Sequence, residues 1–572
     1  MPSGRIKKQH TKSAPQWREA SPDILIDRYV FGATSVFRLN ENVLQGWLSN
    51  LQKIDAAIGS EKSSVMKPIL PVAGVFRLAV LAMVMVFGEN GGAVLPRSIG
   101  APVLATSALE KEYFDWFRNR TVPKLPGSFI SEFWSRLLLQ SSLTEPAILH
   151  ASLALSAVHK AGATDSNRYI KEQMKQFALH NYVKAIDHLH PHFAAKNRVS
   201  FQTILIACVI FVSLEFLRGH FGTAQSHLQN GFKIIKETNL FPVEHGSIPV
   251  SLPQRSVAED WIMEAFFRLH VQVGLFKEPD HGSDVAFQKN ERVSLPRKFL
   301  SLKEAWQLLD SQMHETLRLA HLNRQHNARD AYSPCYPPST KQQKETLKRL
   351  EQWHTAYKSS SQAIKGQGSL DEQKAYLILG IYHTMTTIMA ELCSYPDNEM
   401  ASDTQIHQFA HLMKQMENLH DVSRAEWDAI SVDDRVNISR SIVDMGCIAP
   451  LYYVAVKCRV HRLRIQAVQL LESVFHREGI WDARATASVA RKVVELEEGD
   501  YFISGGLSDD LSIFDCQGQP TLPEHYRIHN VGFVLSGNPA ETIFLLGRRH
   551  EGKSVRSCIA EYRMGSQSWI DM

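Results

Sequence analysis

The segment Gly547-Arg-Arg-His-Glu-Gly552-Lys553-Ser554 has the glycine, lysine and hydroxyl spacing of a phosphate-cradling P-loop, and the strand-like run TIFLL precedes it. Nucleotide chemistry there would need free backbone amides and a second strand bearing a magnesium-binding carboxylate. Arg548, Arg549, His550 and Glu551 crowd the loop instead, and 18 residues follow Ser554, so the segment reads as a charged loop after a hairpin. In DHLHPHF, Asp187, His188, His190 and His192 are metal-type ligands close together, but a helix ending at Pro191 would splay the imidazoles apart. Glu215 lies in an apolar run with Arg218 three residues on; a catalytic carboxylate is one reading, and a structural ion pair is the one favoured by the spacing.

No G-x-S-x-G elbow, H-E-x-x-H pair or G-x-G-x-x-G turn occurs. No catalytic residue, cofactor-binding residue or metal ligand is therefore assigned, and no cofactor is expected. The seven cysteines (Cys208, Cys335, Cys393, Cys447, Cys458, Cys516 and Cys558) are scattered and never form a C-x-x-C pair. That argues against a disulfide framework or a zinc ribbon, and for a reducing, intracellular compartment. Near the N-terminus Arg5, Lys7, Lys8 and Lys12 form a basic cluster with no apolar run directly after it, which fits a solvated tail or a nuclear import signal rather than a secretory leader.

The elements that would carry these residues are helices. Across 572 residues, 63 Lys and Arg against 59 Asp and Glu give a net charge of +4, too near balance for a chain-wide field attracting nucleic acid. Hydrophobic content of 44% and charged content of 21% exclude a wholly disordered or polytopic membrane chain. Thr144, Glu145 and Pro146 mark a helix start, with the Thr144 hydroxyl as the expected cap. Phe177, Tyr182, Ala185, Ile186 and Leu189 mark a helix stopped by Pro191. The run at 204–217 is apolar on nearly every side and reads as a buried helix ending at Gly219, at 14 residues too short to span a bilayer.

Ala224, Leu228, Gly231 and Ile235 share the next helical face, Trp261, Ala265 and Leu269 another, and Ser301 with Glu304 predicts a capping box. Proline-punctuated loops are expected at 239–256, 278–300 and 324–345. Helices are expected at about 343–358, 371–394, 404–417, 439–475 and 483–498. Leu463, Ala467, Leu470, Leu471 and Val474 give the clearest stripe of these. RIHNVGFVL at 527–535 and TIFLLG at 542–547 read as a β-hairpin. The fold class expected is mainly α, an irregular array of packed antiparallel helices with a small C-terminal β-hairpin; no sustained 34-residue period supports a solenoid. The stretch 69–88 holds about 20 mostly apolar residues around Arg77, open to three readings: a membrane span, a buried core helix, or chain foreign to the fold.

Several blocks, in order, resemble the regulatory domain of fungal six-cysteine binuclear zinc cluster transcription factors, the fungal-specific transcription factor domain. They are 110–127, FWSRLLLQSSLTEPAILHASLALSAVH at 133–159, 180–189, 205–235, FFRLHVQVGLF at 266–276, APLYYVAVKCR at 449–459 and 476–498. Each alone is generic helix; the ordered set is specific. The resemblance implies a nuclear transcription regulator, not an enzyme, of a metabolic or secondary-metabolite gene cluster.

Such proteins usually begin with a basic lead-in and a C-x-x-C-rich zinc cluster that enters the major groove. Here RIKKQHTKS at 5–13 is similar to the lead-in, yet no cysteine precedes Cys208, through loss of the cluster or altered exon usage. The expected organisation is a basic tail (1–20), a divergent region (21–105), the helical regulatory domain (106–500), and the hairpin with its tail (501–572). Expected partners are other transcription regulators or a second copy of the chain, with DNA reached indirectly, no membrane, and a small-molecule effector left open. The rival readings are a membrane-tethered regulator using 69–88 and an enzyme with an unrecognised site in the helical core.

Overall fold

The Ser107 hydroxyl accepts from the Glu110 amide while the Glu110 carboxylate accepts from the Ser107 amide, a capping box that starts α1 (Ala108–Trp116). The computed structural model describes residues 107–129, 131–163, 167–195, 197–237, 256–276, 295–329, 340–365, 369–428, 440–499, 501, 521–537, 539–548 and 557–571. Two π-helical turns, Phe117–Thr121 and Phe133–Leu138, flank a short turn after α1 and lead into α2 (Leu139–Thr144). Then come α3 (Pro146–Ala163), α4 (Arg168–Ala195), α5 (Arg198–Arg218), α6 (Phe221–Glu237) and α7 (Val257–Phe276). After these follow α8 (Leu302–Arg329), α9 (Thr340–Lys365), α10 (Leu370–Leu392), α11 (Ile406–Asp428), α12 (Ile448–Lys457), α13 (His461–Glu472) and α14 (Ala483–Glu498).

The mainly helical class is as the periodicity implies, and α5 lies in the core. Asn197 caps it by accepting from the Ser200 amide at 2.9 Å, and every residue from Thr203 to Leu217 is buried against α3, α4, α6 and α7. At 21 residues it is longer than the apolar run alone suggests, and it is the one helix among the described residues long and apolar enough to cross a membrane. Its sides are taken by other helices, as in the core of a folded domain. The expected hydrophobic faces are largely in place: Ala224, Leu228 and Ile235 are buried on α6, and Leu463, Ala467 and Leu471 on α13. The stretch 69–88 and the basic cluster Arg5, Lys7, Lys8 and Lys12 lie outside the described residues.

Several local expectations are corrected. Pro191 does not stop α4, which runs on to Ala195; its fixed φ suits a helix, and only the amide bond toward residue 187 is lost. The Thr144 hydroxyl turns back to the Gln140 and Ser141 carbonyls and closes α2, leaving Pro146 to open α3. Much of the supposed loop 324–345 is helical, since α8 reaches Arg329 and α9 begins at Thr340. At the Ser301 cap, the Glu304 amide donates to the hydroxyl, but its carboxylate takes the Leu300 amide instead of closing back on Ser301.

The expected helix 439–475 is an extended stretch followed by two helices, and side chains explain the break. Arg464 Nε donates to the Ala455 carbonyl at 2.8 Å and Arg459 Nη1 to the Lys457 carbonyl at 2.9 Å, so guanidinium groups satisfy the last carbonyls of α12. Both arginines are fully buried and share the Glu497 carboxylate, at 2.9 Å from Arg459 and 2.6 Å from Arg464. The chain must turn at Cys458 for this network to form.

Strand structure also goes beyond one hairpin. A small ribbon pairs β1 (Arg477–Glu478) with β2 (Trp481–Asp482). The hairpin of β3 (His529–Gly537) and β4 (Ala540–Arg548) is continued by β5 (Ser557–Arg563) and β6 (Ser568–Asp571) into a four-stranded antiparallel sheet in sequence order. Phe533, opposite Leu545, carries the sheet onto the helices through ring contacts with Phe276 at 4.7 Å and Tyr452 at 5.7 Å. The Ile528 amide donates to Glu497 at 2.8 Å and joins the sheet to the arginine network.

Candidate functional site

The extended stretch 441–447 is held by backbone bonds on two sides. The Ile442 amide donates to the Arg477 carbonyl at 2.9 Å, Gly479 returns a bond of 2.9 Å to Ile442, and the Val443 amide donates to Leu125 at 2.8 Å. The Val443 carbonyl accepts from Gln272 Nε2 at 2.8 Å, and Asp444 ion-pairs with Arg268. Arg268 also reaches Glu264 at 3.0 Å, so four-residue spacing lines Glu264, Arg268 and Gln272 along one face of α7. On α8 the same spacing sets Trp306 beside Asp310. Phe129 stacks on Trp306 at 4.2 Å, the Arg268 guanidinium carbon lies 5.9 and 5.7 Å from those two rings, and Tyr382 of α10 meets Trp306 edge-on at 5.6 Å.

Five polar atoms in this cluster have no protein partner: Arg268 Nε, Gln272 Oε1, Trp306 Nε1, Asp310 Oδ1 and Tyr382 Oη. All five residues are at most 5% exposed. An unmet buried polar group costs roughly 1–3 kcal/mol, so five together would approach the whole stability of a domain. The arrangement thus calls for polar atoms from outside the protein, whether water or a ligand.

Charge in the cluster is uneven. Burial first, then Asp444 and Glu264, push the Asp310 carboxyl up to about 8 against the opposing pull of Arg268. Near neutral pH Asp310 is a protonated donor and acceptor. Glu478 stands next to the cluster and caps α12, accepting from the Cys447 and Ile448 amides at 2.9 Å each and from His476 Nε2 at 3.0 Å. Burial and then Glu478 push the Cys447 thiol well above its ordinary value, which makes it a poor nucleophile. The chemistry available is recognition: hydrogen bonds, charge and aromatic faces.

The residues singled out in the sequence fall elsewhere. Glu215 is fully buried with Arg218 at 3.3 Å, the expected ion pair, and His220 Nδ1 joins it at 2.8 Å. Along α4, His188 stacks on His150 at 5.4 Å while His192 approaches Glu145 and Ser200, so the imidazoles go to different neighbours. Among the described residues no group of three or more His, Cys, Asp or Glu could hold a metal. Gly547 and Arg548 end β4, and Arg549–Ser554 lie outside the described residues. Sequence reasoning missed the Arg268 cluster. Its one visible signal was a charged residue in the apolar block FFRLHVQVGLF.

The fungal specific transcription factor domain matches residues 112–463, well over half of the chain and inclusive of Arg268, Asp310, Tyr382 and Asp444. The chain is similar to the transcription regulator lscL of Purpureocillium lilacinum, 26% identical over 132 residues, which are 20% of this chain and 32% of that protein. It is also similar to the aspercryptin biosynthesis cluster-specific transcription regulator atnN of Emericella nidulans, 31% identical over 147 residues, 24% of this chain and 23% of that one. The matched part thus spans about a third or less of either relative. No solved structure matches the chain. Both relatives and the domain are regulatory, not catalytic, and the chain belongs to the family defined by the fungal specific transcription factor domain.

Proposed function

We propose that this chain is a nuclear regulator of transcription for a biosynthetic gene cluster and that it reaches DNA through a partner, either another regulator or a second copy of itself. The match to the family domain over 112–463 carries the reading, and the name of the Emericella relative supports the tie to a gene cluster. Groove recognition needs an element with side chains on base edges and clustered Lys and Arg on phosphates. With no cysteine before Cys208, the N-terminal 207 residues hold no thiolate zinc cluster, and Arg5, Lys7, Lys8 and Lys12 suit nuclear import better than sequence reading.

Deleting the gene and profiling transcripts tests the role, and titrating the purified chain against promoter fragments of the affected genes tests the partner. The expected result is a coordinated change across one contiguous cluster, with promoter occupancy in cells but no sequence-specific binding by the chain alone at physiological salt. An unchanged transcriptome would overturn the regulatory role. Salt-resistant nanomolar binding by the pure chain would overturn the partner.

A further inference from the structure

We propose that the surface formed by α9 and α11 over α10, around His354, Lys358, His411 and Lys414, docks an extended acidic segment of a partner protein. Close packing brings these residues together. A Cβ at Gly380 of α10 would lie 3.0 Å from the Tyr357 hydroxyl and 3.2 Å from Gln415 Nε2, so α9 and α11 meet over that glycine. About one helical turn away His354 stacks on His383 of α10 at 4.8 Å, and the charge of His411 bears on both rings. Lys358 follows His354 by four residues and Lys414 follows His411 by three, so each lysine shares a helix face with its histidine. Both lysines and His411 are exposed, and His354 is half-buried.

No acid offsets this charge from within. Asp and Glu are absent from 352–365, 373–390 and 406–416, the parts of the three helices that meet here. Burial, then Lys358, lowers both His354 and His411 below their ordinary value, and no carboxylate acts on either ring. The other titratable groups around the two rings are Glu351 and Tyr357 of α9, His383 of α10 and His407 of α11. A docked carboxylate complements the lysines and raises both imidazoles, and the protons they take up come from solvent. The exposed ridge of α9 continues through Lys348 to Lys344, about 21 Å from Lys358. That length matches about six residues of extended chain and far exceeds one phosphate group. Glu345 and Glu351 interrupt the ridge; a peptide can meet them with neutral or basic residues, whereas a nucleic-acid strand is charged at every linkage. That the partner is a transcription regulator rests on the regulatory reading, whereas docking itself does not.

The test uses the purified full chain and a rhodamine-labelled peptide of alternating Glu and Ser, about eight residues long, with a counterpart carrying Gln for Glu, read by fluorescence anisotropy. The acidic peptide is expected to bind, more tightly at about pH 6 than at about pH 8, and the Gln counterpart is not. Lys358→Gln combined with Lys414→Gln is expected to weaken binding about fivefold or more with Tm unchanged. Lys171→Gln combined with Lys175→Gln on α4 removes the same charge and is expected to leave binding as it was. No binding of the acidic peptide at low salt, equal losses in the two double variants, or equal affinity at the two pH values would overturn the proposal. Complete displacement by millimolar phosphate would mean a small-anion site instead, and tighter binding of a DNA duplex, lost in the Lys358 and Lys414 variant, a nucleic-acid surface; either result would overturn the peptide assignment. These readouts are independent of transcript profiling, so either proposal can fail without the other.

Discussion

Arg268 of α7 and Asp444 of the extended stretch, 176 residues apart in the chain, form a buried ion pair that ties the two halves of the helical domain together. Removing one partner of such a pair strands the other charge away from water. Arg268→Met and Asp444→Asn are each expected to lower stability by about 3–5 kcal/mol, and the double variant to recover part of that loss. Urea unfolding of the four proteins closes the cycle. Simple additivity of the two single effects would show that the pair is not coupled.

Two glycines next to the cluster are required by close approach. A Cβ at Gly446 would overlap the Glu478 carboxylate and push it off the amides that start α12. At Gly479, with φ of +56°, it would overlap Gln272 Oε1. Each Gly→Ala change is expected to cost about 1–3 kcal/mol. Gly222→Ala, which meets nothing within 4 Å, is expected to be neutral or to stabilise by up to about 1 kcal/mol. Equal losses at all three positions in urea unfolding would count against this reading of the packing.

The fold was legible where one helix face carries the signal. The stripes on α6 and α13 and the apolar run of α5 are local patterns, and burial follows them. Illegible were features set by partners far along the chain. The break after Lys457 depends on Arg459 and Arg464 turning toward Glu497, and nothing between 439 and 475 hints at a carboxylate on α14. Pro191 misled in the other direction, since a proline signals a helix end more often than a tolerated interior position. The cluster was hidden for the same reason as the break: Glu264 with Arg268 reads as an ordinary exposed pair until Asp444 and Asp310 close over it.

Arg527, just ahead of β3, is one of the anchors of the C-terminal sheet. Arg527 is fully buried and donates to the Leu522 carbonyl at 2.7 Å, the Glu399 carbonyl at 2.9 Å, and Asp403 at 3.0 and 2.7 Å. Lysine cannot reproduce this planar fork. Arg527→Lys is therefore expected to speed amide exchange throughout β3 to β5 while α5 stays protected. Hydrogen exchange read by mass spectrometry checks it, and uniform acceleration across the domain would argue against a separable sheet.

Purified protein is expected to hold no zinc in stoichiometric amount. Cys208 lies on α5, Cys393 follows α10, Cys447 and Cys458 sit at opposite ends of α12, and Cys558 is on β5. A helix of ten residues separates its ends by about 15 Å, too far for two thiolates to share one ion. Elemental analysis returning two zinc ions per chain would refute this.

Stability is expected to be greatest at about pH 7, because buried groups of opposite sign act on either side of it. Burial, then His354, holds His383 down to about 3; burial, then His314, holds His270 to about 3; and burial holds His314 to about 4. The unfolded chain protonates these histidines below their ordinary 6.5 while the folded chain does not. Their contribution is whole about one unit above that pH and is lost as pH falls toward the folded values. Asp310 works the other way. The folded protein keeps its proton up to about 8 and the unfolded chain gives it up near 3.8, so its contribution declines as pH rises between those limits. Burial alone would raise Glu399, but Lys457 and Arg459 bring it to about 2, so its contribution is already complete above its ordinary 4.5. Below 6.5 three histidines outweigh one carboxyl, and stability drops with acid. The histidine limb tails off over about one pH unit above 6.5; beyond that Asp310 dominates up to about 8, and stability declines by at most about 1.4 kcal/mol per pH unit. Urea unfolding at about pH 5.5, 7 and 8 measures both limbs. Asp310→Asn is expected to flatten the alkaline limb and leave the acid limb in place. An alkaline decline that persists in that variant would place its cause outside the Arg268 cluster.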